Sequence, residues 1–216
     1  MAEEKRITYQ TIRRLPGYYT LLKRLEEEGQ PTVSAKAIAT LTSQTEIQVR
    51  KDLASVGRGG KPRTGFQVRA LIADIGSVLG YDNINDAVLV GVGHLGRALL
   101  CYQGFEEYGL NIVAGFDADP DLSGIRVGGK PVLPLEKLDS FCRRTSTHIG
   151  IITVPGCHAQ SVCDRMVQNG ILAIWNFAPV HLEVPGDILV EHENIAASLS
   201  LLSQNLARKM REEGQP

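Results

Sequence analysis

Gly91, Gly93, Gly96 and Asp117 carry the most specific chemistry in this 216-residue chain. The glycines form a G-x-G-x-x-G pattern directly after the apolar run Ala87-Val-Leu-Val90 and directly before Arg97-Ala-Leu-Leu100, a good helix former. Strand, tight turn and helix is the context in which this spacing seats a pyrophosphate. Gly91 permits the turn, Gly93 has no Cβ to hold a phosphate away from the backbone, and Gly96 lets the helix lie close to the strand. Val92, His94 and Leu95 complete the loop. The helix N-terminus then offers unpaired N–H groups and the positive end of its dipole. Asp117 ends the next apolar run, Asn111-Ile-Val-Ala-Gly-Phe-Asp117, at the distance where a carboxylate hydrogen-bonds the adenosine ribose and repels a 2′-phosphate. The pattern predicts a dinucleotide site that prefers NAD(H) to NADP(H).

These residues need a sheet to hold them, and the rest of the second half supplies its alternation. Helical spacing is expected over 135–144 and 158–169, and buried strands over His148–Val154, Ile171–Asn176 and Ile188–Val190; 123–130 reads as a glycine-rich loop. Strands alternating with helices mean a doubly wound parallel sheet, with ligands beyond the carboxyl ends of its strands. Thr153-Val154-Pro155 and Asn176-Phe177-Ala178 then fall at the mouth of the glycine-loop crevice. Val154 and Phe177 are expected to wall the nicotinamide, and Thr153 and Asn176 to hydrogen-bond it.

The first 80 residues suit a different chemistry. A short helix capped by Thr8 is expected to end near Pro16, followed by one over 16–28 with Tyr18, Leu21, Leu22 and Leu25 inward. Ser34 caps the next, and Ser43 with Glu46 reads as a capping box for a third. On that third helix Val49, Leu53 and Val56 share the inner face, while Gln44, Gln48, Lys51 and Ser55 lie opposite with Arg50 nearby. Two short helices around a tight turn, the second with a Gln/Arg/Lys face, read as a helix-turn-helix whose side chains suit base edges in the major groove. Arg58, Lys61 and Arg63 follow among glycines, as a basic wing for phosphates or the minor groove. A helix over 66–79 closes this domain.

Composition limits the alternatives. The formal charge is −1, so nucleic-acid binding must come from a local cluster such as this one. Cys101, Cys142, Cys157 and Cys163 show no C-x-x-C spacing, so neither a disulfide framework nor a metal site is expected. No apolar run approaches the ~20 residues of a membrane span, and the charged start is unlike a signal peptide. A reduced, cytoplasmic protein is expected.

In order and number, these motifs resemble the Rex family of redox-sensing transcriptional repressors. The resemblance rests on Arg14-Leu15-Pro16 with Tyr18-Tyr19, Gln48-Val-Arg-Lys-Asp-Leu53, the Gly91–Leu99 loop, Tyr102 with Gly104-Phe105, Phe116-Asp117-x-Asp119-Pro120, Thr153-Val154-Pro155 and Asn176-Phe-Ala-Pro-Val180. It implies a winged helix-turn-helix domain over 1–80, a Rossmann NAD(H)-binding domain over 81–194, and a C-terminal helix over 195–216 swapped between the subunits of a homodimer. It implies palindromic operator DNA as partner, with release by NADH, and adds Tyr102 to the cofactor residues. It also implies a switch of Arg14, Tyr102 and an acid, whose position here is Asn194. Further departures are Ala54-Ser55-Val56 in the recognition helix, Lys61-Pro62-Arg63 in the wing and His94 in the glycine loop.

An NAD-dependent oxidoreductase is the rival from another class. It needs a positioned acid or base, and His148 and His181 stand isolated in the sequence, so no catalytic residue is assigned. A DNA-binding paralogue that keeps NAD(H) as a structural cofactor is the third reading, favoured by Asn194.

Overall fold

The computed structural model describes residues 7–57 and 65–212. The chain forms two compact units, one of residues up to Ile84 with Glu107–Gly109, the other of Asn85–Glu106 with Leu110 onward. The wing cations Arg58, Lys61 and Arg63 lie outside the described residues.

In the first unit, α1 (Tyr9–Glu27) is one helix, not the expected two. Thr8 caps it, accepting the Thr11 N–H at 3.2 Å. Pro16 lies inside it and has no N–H to donate, which interrupts the hydrogen-bond ladder. The apolar stripe nevertheless runs through: Leu15, Tyr18, Leu21, Leu22 and Leu25 are all buried. Packing along that stripe outweighs the local break. Ser34 caps α2 (Ala35–Leu41), as expected. The cap of α3 (Glu46–Val56) is Thr45, not Ser43. Ser43 has φ +53°, the left-handed conformation that closes the turn, whereas a cap is extended. Val49, Leu53 and Val56 are buried, as the spacing requires.

Phe66 and Gln67 do not begin the last helix; they form β2, antiparallel to β1 (Thr32–Val33). Strands of two residues are too short to show a period. After them, α4 (Val68–Leu79) buries Val68, Leu71 and Ile75 and ends at the left-handed Gly80. Tyr19, Tyr81 and Tyr108 pack as a cluster beside it, with Tyr81 edge-on to both others.

The second unit holds β3 (Asn85–Val90), α5 (His94–Cys101), β4 (Leu110–Asp117), β5 (Arg126–Val127), β6 (Lys130–Pro134), α6 (Leu138–Thr145), β7 (Ile149–Ile152), α7 (Gly156–Gln168), β8 (Ala173–Asn176), β9 (Leu189–His192) and α8 (Ile195–Glu212). The expected loop over 123–130 is in part a hairpin, because Gly128 and Gly129, both at positive φ, turn β5 back onto β6. The sheet order is β5-β6-β4-β3-β7-β8-β9, parallel except for β5. From β3 the chain builds outward to β4 and β6, then returns to place β7, β8 and β9 on the other side. That reversal puts a crevice beyond the carboxyl ends of β3 and β7, where doubly wound sheets bind ligands.

Successive residues of β3 face opposite ways. Val88 and Val90 join Phe116, Ile152, Ala159 and Met166 in one apolar layer; Ala87 and Leu89 join Ile112, Val132, Ile151 and Leu100 in the other. On α8, Leu199, Leu201, Leu202 and Leu206 are 56–65% exposed.

Candidate functional site

The glycine loop is built by hydrogen bonds to its neighbours. Gly91, at φ +102°, donates its N–H to the Phe116 carbonyl at 2.8 Å. A Cβ on Gly91 would lie 2.8 Å from the Thr153 carbonyl carbon, and one on Gly96 would lie 1.9 Å from the Gly91 oxygen. Both glycines are therefore required by the packing of the protein itself. Gly93 differs: a Cβ there would meet nothing within 4 Å. It is the N-cap of α5, exposed and extended, with no side chain satisfying the first N–H groups of the helix. Bare backbone, open space and a helix N-terminus together fit a phosphate.

Asp117 ties the loop to β4. Its Oδ2 accepts the Val92 N–H at 2.6 Å and its Oδ1 accepts the Asp119 N–H at 2.9 Å. A carboxylate has about four lone-pair positions, so two remain for a diol. Val92 has its side chain in the core and its N–H on Asp117, leaving only its carbonyl, to which Arg97 donates at 3.1 Å. His94 and Leu95 are exposed in the first turn of α5.

Two expected nicotinamide contacts are occupied inside the protein. The Thr153 hydroxyl donates to the Gly91 carbonyl at 2.7 Å and also lies near the Val90 carbonyl, so it braces the loop. Asn176 is fully buried. Its Nδ2 lies 2.9 Å from the Val180 carbonyl, 3.2 Å from that of Ala178 and 3.0 Å from His192 Nδ1, while its Oδ1 accepts the Ala178 N–H at 3.0 Å. It shapes the turn after β8 and presents nothing outward, because a strand-end amide meeting a reversing chain finds backbone partners first. Val154 is half-buried against Gly91, Pro155 is exposed ahead of α7, and Ala178 is buried. Phe177 is half-buried and packs on Trp175 at 4.8 Å; Trp175 meets Phe105 edge-on, and Phe105 meets Tyr102. Tyr102, 51% exposed, is the open end of this aromatic row.

Spacing did not reveal the cavity of about 560 Å³ beyond β8 and β9, lined by Phe177, Val180, His181, His192, Glu193 and Asn194 among others. His181 is not isolated there: its ring stacks on His192 at 5.0 Å. His148 contacts the Gly170 carbonyl instead. Asn194 caps α8, its Oδ1 accepting the Ala197 N–H at 2.9 Å. Among the described residues, no cluster of three or more His, Cys, Asp or Glu could hold a metal ion, and no helix is long and apolar enough to cross a membrane.

In the first unit Asp52, which sequence reasoning missed, is the organising residue. It lies on the inner face of α3, almost fully buried. Arg14 grips it through Nε at 2.7 Å and Nη2 at 2.8 Å, and Tyr18, Thr11 and Gln48 add further hydrogen bonds. Burial pushes its carboxyl up, but those four side chains outweigh burial and hold it below the ordinary carboxylate range. Burial, then the bond to Asp52, pushes the Tyr18 hydroxyl up to about 12. The signal was available: an acid among Val49, Leu53 and Val56 demands a buried partner. Arg14, expected in the switch, is thus committed to Asp52 in this structure.

On the outer face, Arg50 pairs with Glu46 at 2.7 Å, Lys51 is exposed, and Gln44 is exposed ahead of the helix. The Ser55 hydroxyl donates to the Asp52 carbonyl at 2.6 Å.

The chain is similar to two families by part. A model described as a putative DNA-binding protein N-terminus matches residues 6–54, and one described as a CoA binding domain matches 82–180. Over nearly its whole length it is similar to proteins named redox-sensing transcriptional repressor Rex. That of Clostridium botulinum is 38% identical, covering 95% of this chain and 98% of that one. That of Bacteroides fragilis is 39% identical, covering 91% and 89%. Among solved structures, RSP, described as a Rex-family repressor, superposes with a TM-score of 0.87 at 32% identity, covering 97% of this chain and 98% of that one. RSP in complex with β-NAD+ and operator DNA (97% and 96% covered) and RSP in complex with β-NADH (96% and 98%) match with the same TM-score and identity.

Proposed function

The chain belongs to the Rex family of redox-sensing transcriptional repressors, and from that premise we propose that it is a homodimeric repressor released from operator DNA by NADH. The observation that carries the reading is that one relative, RSP, has been solved both with NAD+ on operator DNA and with NADH. A protein that binds both can transmit redox state only if its ligands differ in preference for the DNA-competent state.

The residues of this chain supply the parts. Gly93 and the first turn of α5 receive the pyrophosphate, Asp117 the adenosine ribose. Val154, Pro155, Phe177 and Tyr102 bound the nicotinamide end, which is uncharged when reduced and so favoured by an apolar surround. Gln44, Gln48, Arg50, Lys51 and Ser55 face the major groove, with Arg58, Lys61 and Arg63 on phosphates or the minor groove. The domains are 1–80 for DNA, 81–194 for NAD(H), and 195–216 for dimerisation. The exposed leucines of α8 support that last assignment, since a leucine stripe of this size stays in water only at a cost that a partner subunit removes. Two recognition helices on a palindrome must match half-sites about 34–36 Å apart, so a modest rotation of the subunits is enough to release DNA.

No acid–base pair is assigned to the crevice: Thr153 and Asn176, the polar side chains expected at the nicotinamide, are bonded within the protein. We read the protein as a cytoplasmic regulator, with no role for a metal or for hydride transfer. The test is a titration of NADH and NAD+ against the protein–operator complex at fixed salt. Release by NADH alone is expected. NADH binding without release leaves the dinucleotide as a structural cofactor and removes the sensing role.

A further inference from the structure

Asp52 accepts five hydrogen bonds: from Thr11 Oγ1, Arg14 Nη2 and Gln48 Nε2 at Oδ1, and from Arg14 Nε and Tyr18 Oη at Oδ2. A carboxylate offers about four lone-pair positions. Asp52 would be satisfied without Gln48, so the 2.9 Å bond between them matters chiefly for Gln48.

An ionised carboxylate can only accept hydrogen bonds. Gln48 must therefore turn its amide nitrogen toward Asp52 and its Oε1 away. The amide orientation, normally free on a helix surface, is fixed from within the fold. The outward edge keeps Oε1 as acceptor and the second Nε2 hydrogen as donor. That adjacent pair matches the N6 donor and N7 acceptor that adenine shows in the major groove. Gln48 is three residues past the Thr45 cap, in the first turn of α3, and the N-terminal residues of a recognition helix are those that reach base edges.

We infer that Gln48 reads an adenine in each half-site, and that Asp52 is the positioning residue that decides which end of the Gln48 amide meets the base. This rests on α3 being the recognition helix.

The experiment is enrichment from a pool of randomised duplexes by the full-length protein, for the wild type, Gln48→Ala, Gln48→Glu and Asp52→Asn. In the wild type one adenine per half-site is expected to be preferred by about 5- to 150-fold. Gln48→Ala is expected to erase that preference and leave every other position unchanged. Gln48→Glu, which accepts only, is expected to shift the same position toward cytosine, whose N4 donates. Asp52→Asn is expected to weaken that one preference more than any other; where it fails to fold, the two Gln48 variants decide. A uniform loss of affinity in Gln48→Ala, with the preference profile intact, overturns the inference and makes Gln48 a brace for Asp52. A wild type that enriches no sequence refutes DNA reading by α3 altogether, a different failure.

Discussion

Substituting Gly93 and Gly96 separately by alanine distinguishes the two demands placed on the glycine loop. At Gly96 the new Cβ would sit 1.9 Å from the Gly91 oxygen and 3.0 Å from the Thr153 hydroxyl. The helix must move off the strand, and overpacking of this kind costs about 1–3 kcal/mol, lowering the melting temperature of a domain this size by roughly 2–4 °C per kcal/mol. At Gly93 the Cβ meets nothing within 4 Å, and φ −73°, ψ −160° suits any residue. Gly93→Ala is therefore expected to melt no lower than wild type, and slightly higher if loss of unfolded-chain freedom contributes its usual ~0.4–1 kcal/mol. Its methyl group instead occupies the approach to the α5 N-terminus. Losing one or two hydrogen bonds to a charged phosphate, each worth about 1.5–3 kcal/mol, corresponds to a weakening of roughly tenfold to several hundredfold or more. Differential scanning fluorimetry and NADH fluorescence titration measure the two effects. Gly93→Ala that binds NADH as the wild type does, at unchanged melting temperature, would refute the placement of the pyrophosphate.

Four further outcomes are expected. Asp117→Ala should narrow the preference for NADH over NADPH in parallel titrations, and, because it frees the Val92 N–H bonded at 2.6 Å, should also lower the melting temperature; an unchanged ratio removes Asp117 from cofactor choice. Arg50→Ala and Lys51→Ala should weaken operator binding in gel shifts and lower the salt slope by about one unit per lost phosphate contact, with NADH binding intact. Asp52 has a folded pKa below its unfolded value, so its contribution to stability is present above the unfolded carboxylate range near ~3.9 and is lost as pH falls through the folded value. Acid titration of the circular dichroism signal should therefore show a shallower acid limb in Asp52→Asn. Leu202→Asp and Leu206→Asp, both on the exposed face of α8, should shift sedimentation from dimer to monomer; a dimer that survives both would place the interface elsewhere.

Much of the architecture was legible because it depends on short-range patterns. The run Ala87–Val90, the glycines and Asp117 announce strand, turn, helix and a strand-end acid within some thirty residues, and the fold places these elements as expected. Tyr18 to Leu25 and Val49 to Val56 declare their buried faces by helical spacing alone. Where a local signal competed with packing, packing prevailed. Pro16 breaks a ladder but not α1, because the stripe on both sides of it is buried together. Ser43, the better match to a capping box, is needed at positive φ in the turn, so Thr45 takes the cap.

The site divides in the same way. Residue types and spacing determined which backbone could seat a pyrophosphate, since that needs only glycines and a helix start. Which polar side chains remain available is decided largely by partners distant in sequence: Thr153 by Gly91, Asn176 by His192, Arg14 by Asp52. A hydrogen-bonding group has few places to donate or accept, and the sequence does not say which neighbour fills them first. The chain's order of residues thus names the groups that can act, and the folded arrangement decides which of them are still free to do so.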